Sequence, residues 1–265
     1  MFIESLNFNI QQIAESGQCF RFSPIGDDSY RVIAFSSCLD ITQNGKIIEL
    51  SCDENEWERQ WKNYFDMDTD YSAIGEMINE SKDNYLKEAY NFGSGIRILR
   101  QDLWETIISF MISQNNNIPR IKASVEKICR KAGILVPGCI DAYAFPYPTQ
   151  VDPEIFMDKS LGLGYRDEYL RDIYIWTANN PKWLGELKKM TYEEAMAELL
   201  KIRGIGRKVA NCICLFGLHH VEAFPIDTHI KQIVNEHYPC GFNPDNYPGV
   251  AGIVQQYMFY YHLNS

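Results

Sequence analysis

The chain has 265 residues, of which 46% are hydrophobic and 13% aromatic, and its formal net charge at pH 7 is −10. This composition is typical of a folded protein with one or two domains and a substantial core. No apolar run reaches the ~18 residues of a membrane span, and no basic segment leads an apolar one at the N-terminus. Membrane insertion and secretion are therefore not expected, and we expect a cytoplasmic protein.

The predicted elements divide the chain at about residue 90. Residues 29–35 and 39–50 have the pattern of short strands, and Asn44-Gly45 within the second predicts a hairpin turn. Helices dominate from residue 91 onward and are predicted over 104–114, 118–132 and 165–179. The expected fold is α+β, with an antiparallel β domain over residues 1–90 and a helical region over 91–265 that includes a C-terminal helix.

The most informative segment is a hydrophobic helix, a Gly-Ile-Gly turn and a second helix. Thr191 and Glu194 form a capping box that opens the first helix, and Gly204 is placed to end it. The two glycines of the turn, Gly204 and Gly206, permit positive φ. They also leave amide N–H groups at the next helix start free to bind a phosphate.

One amine and one carboxylate accompany this hairpin. Lys208 lies near the start of the second helix, and Asp227 precedes the later apolar segment 228–234. Asp227 is a plain N-cap, a catalytic carboxylate held at a helix start, or both. An amine and a carboxylate that meet over a sugar are the groups that removal of a nucleobase requires.

The charge and the cysteines limit the partners. An acidic protein is an unusual binder of nucleic acid. The acidic residues crowd positions 53–80, however, whereas Lys201, Arg203, Arg207 and Lys208 cluster at the hairpin, which predicts a small, salt-sensitive DNA footprint. The eight cysteines are expected to be reduced thiols. Without a C-x-x-C motif, an H-x-x-x-H pair or a four-cysteine cluster, we predict no metal site and no cofactor.

With these residues, the chain resembles the helix–hairpin–helix DNA glycosylase superfamily, and within it the bifunctional 8-oxoguanine DNA glycosylase/lyases. The hairpin with Lys208 and Asp227 carries the resemblance to the superfamily. Four further segments resemble the lesion- and duplex-reading segments of the family: Ser16-Gly17-Gln18-Cys19-Phe20-Arg21, Ser113-Gln114-Asn115-Asn116-Asn117-Ile118-Pro119-Arg120, Gly162-Leu163-Gly164-Tyr165-Arg166 and Gln255-Gln256-Tyr257-Met258-Phe259.

The resemblance implies that Lys208 is the nucleophile. It would attack C1′ of the damaged nucleotide, expel the base and form a Schiff base that permits strand cleavage. The positive end of the helix dipole and the neighbouring Arg207 disfavour the ammonium form of the lysine. Asp227 would stabilise the oxocarbenium charge and orient the amine. A lone helical lysine is usually solvated surface, but the hairpin and Asp227 favour the catalytic interpretation here.

The resemblance also implies a pocket for the flipped base. The Gly17 carbonyl would separate 8-oxoguanine from guanine, because N7 carries a hydrogen only in the lesion. Gln255 and Phe259 share one helix face, where an amide bonds the base edge and a ring stacks on it. Cys212, one turn beyond Lys208, would form the other wall. The plainer interpretations are a turn glycine, a helix packed on the core and a buried cysteine.

The resemblance also implies a set of residues that contact the DNA strand opposite the lesion. Asn115, Arg120 and Arg166 match positions that hydrogen-bond the opposite cytosine, and Tyr165 matches the residue wedged into the gap. A helix C-terminal turn and a surface arginine are the plainer interpretations of Asn115 and Arg120. Contacts to phosphates are assigned to Gly204, Gly206 and, more weakly, His229.

Two other functions stay open: a glycosylase of the same superfamily for alkylated purines or mismatched adenine, and a non-catalytic helix–hairpin–helix DNA-binding module. Alkylation enzymes usually lack the lysine, and adenine-removing enzymes usually carry iron–sulfur cysteines. A simple DNA-binding module gives no reason for Gly17, Gln255 and Phe259. The resemblance therefore implies a hydrolase and AP lyase that acts as a monomer on double-stranded DNA containing 8-oxoguanine, at the nucleoid in a prokaryotic cell.

Overall fold

The N-terminal part of the chain folds into one antiparallel sheet in a computed structural model that describes residues 1–265. Its five strands are β1 (Phe2–Glu4), β2 (Phe22–Gly26), β3 (Ser29–Ala34), β4 (Ser37–Asn44) and β5 (Ile47–Leu50). They are hydrogen-bonded in the order β1-β5-β4-β3-β2. The β4–β5 hairpin predicted at Asn44-Gly45 is confirmed, and Gly45 supplies the positive φ of +59° that the turn needs.

The sheet has a small core of its own. Alternate residues of a strand point to the same face, so Leu39 and Ile41 of β4 are fully buried while Asp40 between them is not. The helix α1 (Ile10–Glu15) covers this face with Ile10 and Ile13. The sheet core comprises 18 buried residues and is separate from the larger core of the protein.

The strands end at Leu50, which corrects the expected β character of residues 51–90. That stretch is helical: α2 (Glu54–Glu56), a π-helical turn (Trp57–Trp61), α3 (Lys62–Tyr64), α4 (Tyr71–Glu80) and α5 (Asn84–Gly93). Asp70 and Asp83 accept hydrogen bonds from backbone N–H groups at the starts of α4 and α5. Part of the acidic cluster therefore caps helices. The domain boundary at residue 90 stays a prediction.

Helices account for most of the remaining chain. They are α6 (Leu103–Ser113), α7 (Ile118–Ala132), α8 (Asp167–Asn179), α9 (Trp183–Leu187), α10 (Tyr192–Leu199), α11 (Arg207–Phe216), α12 (Thr228–His237) and α13 (Ala251–Asn264). Short 3₁₀ turns occur at Pro148–Gln150, Pro153–Met157, Lys159–Leu161, Gly164–Arg166 and Pro244–Asn246. None of the helices has both the length and the apolar character that a membrane span needs. The predicted α+β fold is confirmed.

A core of 49 buried residues joins these helices. Ile74 of α4 and Leu86 of α5 belong to it, so these two N-terminal helices pack with the helical region. The predicted helices 104–114, 118–132 and 165–179 agree with α6, α7 and α8 within two residues at each end. The segment 133–149 is irregular, as expected, apart from a β-bridge between Leu135 and Tyr143 and the start of the 3₁₀ turn at Pro148–Gln150.

One disulfide corrects the expectation that all cysteines are reduced. Cys38 at the start of β4 is bonded to Cys139 in the 133–149 segment, 101 residues away in sequence. The other six cysteines are free, and all but Cys240 are buried. Cysteine spacing could not reveal this pair, because only the packing of the 133–149 segment against the sheet brings the two residues together.

A buried arginine ties the sheet region to the helical region. The Arg97 guanidinium, only 4% exposed, donates to the carbonyl oxygens of Asn7 (2.8 Å), Phe65 (3.1 Å), Asp66 (2.7 Å) and Thr69 (2.9 Å). A buried guanidinium is tolerated only when its donors are used. The segments before α1 and after α3 are therefore held at fixed positions beside residue 97.

Asp66 continues this network. Its carboxylate accepts from Arg100 Nε at 2.8 Å and from the Tyr71 hydroxyl at 3.0 Å, and it lies 3.3 Å from His219 Nε2. Burial alone raises the pKa of Asp66, but the contacts with His219 and Arg100 outweigh it and hold that pKa below its usual value. The ionised carboxylate is therefore favoured in the folded state.

We expect Asp66→Asn to lower the melting temperature at pH 7, where the free energy of unfolding falls by about 1 kcal/mol or more. The folded-state pKa lies below the unfolded one, so the carboxylate stabilises the fold above about pH 4 and progressively less as the pH falls below that value. Thermal melts at pH 7 and pH 3 test this. An equal deficit at both pH values would contradict the proposed charge effect.

Candidate active site

The predicted hairpin lies between α10 and α11. Thr191 and Glu194 form the expected capping box at the start of α10. Gly204 has a φ of +89°, and a Cβ there would lie 2.7 Å from the Tyr169 ring, so this position requires glycine. Gly206 has a φ of −93° and is the N-cap of α11, so the expected positive φ is found at only one of the two glycines.

The start of α11 borders an open groove of about 540 Å³. No side chain caps this helix, so its first N–H groups are unused by a capping side chain, as an anion-binding terminus requires. Five of the predicted site residues line the groove: Asn115, Gly206, Lys208, Asp227 and His229. The two predicted catalytic residues therefore face the same space.

Lys208 is half-buried at the floor of this groove. Its Nζ lies 5.5 Å from the centre of the Phe110 ring, which belongs to α6. Cys212, one turn further along α11, is 3% exposed. Burial raises the pKa of the Cys212 thiol, although the nearby Lys208 charge opposes the shift, so the neutral thiol is favoured. The lysine thus emerges from an apolar wall into the groove.

Asp227 is the N-cap of α12. Its Oδ1 accepts from the backbone N–H of Ile230 at 2.9 Å, and the residue is half-buried. The second carboxylate oxygen makes no hydrogen bond within the protein. The cap therefore fixes the carboxylate beside the groove and leaves one oxygen available to a ligand, which is compatible with both roles considered for this residue.

A second, smaller cavity lies behind the groove. Its volume is about 40 Å³, and it is lined by Gly17, Phe110, Lys208, Cys212, Phe216, Pro225, Asp227, Gln255, Gln256 and Phe259. All four predicted base-binding residues and both predicted catalytic residues are in this set. The fold thus brings the N-terminal glycine loop, the hairpin helix and the C-terminal helix α13 to one place.

Gly17 lies close to the Phe259 ring in this cavity. Its φ is +75°, and a Cβ there would lie 3.2 Å from Cε1 of Phe259. The adjacent Gln18 is fully buried: its Nε2 donates to Ser16 Oγ and to the Arg97 carbonyl, both at 2.9 Å, and its Oε1 accepts from Leu99 N at 2.8 Å. Gln18 therefore anchors the glycine loop, a role that sequence reasoning did not assign.

Only two of the residues predicted to contact the opposite strand, Asn115 and Tyr165, lie side by side with exposed polar groups. Asn115 has a φ of +47°, and its Nδ2 lies 3.4 Å from the hydroxyl of Tyr165, which is 52% exposed. Arg166 is instead 6% exposed, and its guanidinium donates to the carbonyl oxygens of Gln114, Leu163 and Asn115. In this structure Arg166 supports the Asn115 turn. Arg120 is exposed in the first turn of α7 and lines neither cavity.

Gln114 links this turn to the hairpin. Its Nε2 donates to the Gly204 carbonyl at 2.9 Å and to the Met111 carbonyl at 3.0 Å. The end of α6 and the hairpin turn are therefore held together by one amide. Sequence reasoning missed this residue, because nothing in the local pattern indicates a partner 90 residues away.

His229 lies at the junction of the groove and the smaller cavity. Its ring packs edge-on against Phe259, with 5.7 Å between ring centres, and its buried Nδ1 has no hydrogen-bond partner. His262 of α13 lies on its other side at 5.6 Å. A histidine with an unused nitrogen beside the groove is compatible with the predicted nucleotide contact.

The basic patch around the hairpin is smaller than expected. Lys201 is paired with Glu198 at 2.6 Å. Arg203 is paired with Asp172 at 2.8 Å and with Glu168 at 3.1 Å. These acidic partners come from α10 and α8 and offset the charge of both side chains. The cations that border the groove itself are Arg207, Lys208 and Lys231.

A helix–hairpin–helix whose second helix carries a half-buried lysine, with a capping aspartate that lines the same small cavity, defines the class of helix–hairpin–helix DNA glycosylases. Comparison with known proteins gives the family. Residues 1–107 match the family described as 8-oxoguanine DNA glycosylase, N-terminal domain. The structure is similar to that of the Clostridium acetobutylicum 8-oxoguanine glycosylase/lyase bound to double-stranded DNA with cytosine opposite 8-oxoG. The TM-score is 0.89 at 33% identity, covering 98% of this chain and 97% of that one. The chain belongs to the 8-oxoguanine DNA glycosylase family.

Two curated relatives are similar over part of the chain. The N-glycosylase/DNA lyase of Saccharomyces cerevisiae is 34% identical over 166 residues, which cover 57% of this chain and 44% of that protein. The N-glycosylase/DNA lyase OGG1 of Arabidopsis thaliana is 37% identical over 153 residues, covering 54% and 41%. The chain thus spans less than half the length of these curated relatives.

Proposed function

We propose that this protein is a bifunctional DNA glycosylase/AP lyase that excises 8-oxoguanine from duplex DNA. The observation that carries the proposal is that Lys208 and Asp227 line both the open groove and the smaller cavity behind it. A nucleotide flipped out of a duplex in the groove would place its base in the cavity and its sugar between these two side chains. Family membership and the names of the relatives support the same activity.

In the proposed reaction, the neutral Lys208 amine attacks C1′ of the flipped nucleotide. The C1′–N9 bond breaks, and its electron pair leaves with the base, which takes up a proton. The Asp227 carboxylate stabilises the positive charge that develops on the sugar. It needs no reorganisation to do so, because the α12 cap already holds it in place.

The covalent adduct then supports strand cleavage. The amine bound to C1′ loses a proton, the sugar ring opens, and a Schiff base forms between Lys208 and C1′. This cation acidifies the C2′ hydrogen, and loss of that proton breaks the C3′–O bond by β-elimination. Hydrolysis of the product imine regenerates the lysine. The reaction needs no redox partner, in keeping with the prediction that no cofactor takes part.

Base selection is proposed to reside in the Gly17 carbonyl. The N7–H of 8-oxoguanine can donate to this oxygen, whereas N7 of guanine is an acceptor and would repel it. A cavity of about 40 Å³ has room for a few water molecules and none for a purine. The pocket must therefore open when the base enters, and the half-buried Phe259 ring is the side chain whose movement would admit it.

The remaining assignments concern contacts with the opposite strand and with the phosphates. Tyr165 is exposed enough to wedge into the duplex, and Asn115 beside it could meet the unpaired cytosine. Arg120 could join them from α7, whereas Arg166 must release its backbone carbonyls to do so. The α11 amides near Gly204 and Gly206, together with His229, are proposed to hold the phosphates.

The test is borohydride trapping on a duplex with one 8-oxoguanine opposite cytosine, beside duplexes with guanine or an alkylated purine at that position. We expect a covalent adduct with 8-oxoguanine alone. Base release without an adduct would indicate a monofunctional glycosylase. Activity on the alkylated purine would indicate the other glycosylase class, and binding without either signal would indicate a DNA-binding module.

Gly17→Ala should reduce 8-oxoguanine excision by roughly ten- to a hundredfold while leaving the protein folded. The new methyl group would lie 3.2 Å from the Phe259 ring, and a φ of +75° costs a non-glycine residue roughly 1–2 kcal/mol. Single-turnover excision measures the effect. The matched control is Gly45→Ala, at a φ of +59° with no atom within 4 Å. Equal losses in both variants would contradict a local effect on the pocket.

We further propose that the protein works as a monomer in the cytoplasm, at the nucleoid if the cell is prokaryotic. A duplex substrate supports this location, since the enzyme must meet DNA, and one chain supplies every residue of the proposed site. Gel filtration with light scattering, and fractionation of cells that carry a tagged protein, test the two statements.

A further inference from the structure

A second buried glutamine faces the base cavity. Gln256 is 3% exposed and lines the same cavity as Gln255 and Phe259. On α13 it lies three residues before Phe259, so the two side chains share one helix face. Its Oε1 has no hydrogen-bond partner in the protein. A buried amide oxygen without a donor destabilises the fold, and here that oxygen belongs to a residue that lines the base cavity.

The single hydrogen bond between the two glutamines orients both amides. Gln256 Nε2 donates to Gln255 Oε1 at 3.3 Å. This bond uses one of the two lone pairs of Gln255 Oε1, and the Gln255 amide nitrogen makes no hydrogen bond within the protein. The pair consequently presents one free donor, from Gln255, and one free acceptor, from Gln256, at the wall of the cavity.

We propose that Gln256 is a specificity-determining residue whose Oε1 accepts a hydrogen bond from the Watson–Crick edge of the flipped base. A guanine-type edge carries one acceptor, O6, and two donors, N1–H and the N2 amino group. The free donor of Gln255 and the free acceptor of Gln256 complement that edge. An adenine-type edge has a donor at C6 and an acceptor at N1, so it meets like groups at both positions. This inference rests on the proposed function and adds Gln256 to Gln255 as a second residue that recognises the purine edge.

The test compares a base-dependent step with a base-independent one. We expect Gln256→Met to slow single-turnover excision of 8-oxoguanine by roughly tenfold or more. Borohydride trapping of the same variant on a preformed abasic site should be unchanged, because that substrate has no base to read. Its melting temperature should equal or exceed that of the wild type, since methionine fills the space and removes the unpartnered oxygen. Gln256→Leu is the second variant, with the same expected pattern.

The control is Tyr257→Phe. Tyr257 is the next residue of α13 and is fully buried, and its hydroxyl is also without a partner, but it does not line the cavity. We expect both rates of this variant to match the wild type. Unchanged excision in the Gln256 variants, or an equal loss on both substrates, would overturn the inference. If the wild type traps abasic sites but releases no 8-oxoguanine, the proposed substrate is wrong instead.

Discussion

Lys208→Gln is expected to lose both excision and Schiff-base trapping, with a fall in single-turnover rate of more than about 10⁴-fold. Glutamine has no nucleophilic amine, so neither C1′ attack nor the covalent intermediate is possible. The half-buried lysine lies over the Phe110 ring at the floor of the groove, and the uncharged amide has similar length. We therefore expect the variant to fold and to bind a duplex containing 8-oxoguanine.

The matched control for this prediction is Lys231→Gln. Lys231 borders the same groove but is exposed on α12 and does not line the smaller cavity. Loss of its charge should weaken duplex binding and reduce the salt dependence of that binding, while trapping at saturating protein persists. Gel-shift titrations at two salt concentrations and trapping assays separate the two effects. Excision retained by Lys208→Gln would refute the nucleophile assignment.

Asp227→Asn is expected to reduce excision by roughly 10²–10³-fold, the effect of removing one preorganised electrostatic group from a transition state. Asparagine is as good an N-cap as aspartate, and its Oδ1 can still accept from Ile230 N. The start of α12 should thus be preserved, and the loss should come from the missing negative charge beside the sugar. Single-turnover rates and thermal melts measure activity and folding separately.

The control for Asp227→Asn is an aspartate-to-asparagine substitution at the N-cap of another helix. Asp53 is the N-cap of α2, accepts from Glu56 N at 2.8 Å and lines neither cavity. Asp53→Asn should leave excision unchanged. If Asp227→Asn excises 8-oxoguanine at the wild-type rate, the carboxylate is an N-cap alone. If the variant also melts at a much lower temperature, a structural loss explains its defect.

Local signals predicted the helices well and the N-terminal region less well. The capping box at Thr191 and the apolar spacing of residues 118–132 reflect interactions within one or two turns, which a sequence displays directly. The acidic residues before residue 80 are evident in the sequence, but the sequence pattern did not reveal that one of them, Asp70, caps α4. Short helices that begin at an aspartate among many other acidic residues offer little periodicity to detect.

The basic patch and the cysteines show that contacts between residues distant in sequence could not be predicted. Counting charges near the hairpin overestimated the free positive charge, because Arg203 finds its acidic partners on α8. The spacing of Cys38 and Cys139 held no sign of their bond. The assignment of Arg166 to the duplex stays a prediction, and in this structure its guanidinium donates to the carbonyl oxygen of Gln114, 52 residues away. In each case the deciding partner is distant in sequence.

The sequence by itself determined the hairpin, its lysine and the capping aspartate, because turn glycines, caps and helical spacing act over a few residues. Only the tertiary structure decided that Gly17, Cys212 and Phe259 enclose one cavity with them. It also decided that Gln256 faces the same cavity with an unpartnered oxygen. Such contacts join opposite ends of the chain, and they depend on how α13 packs against α11 and the glycine loop, which no local pattern specifies.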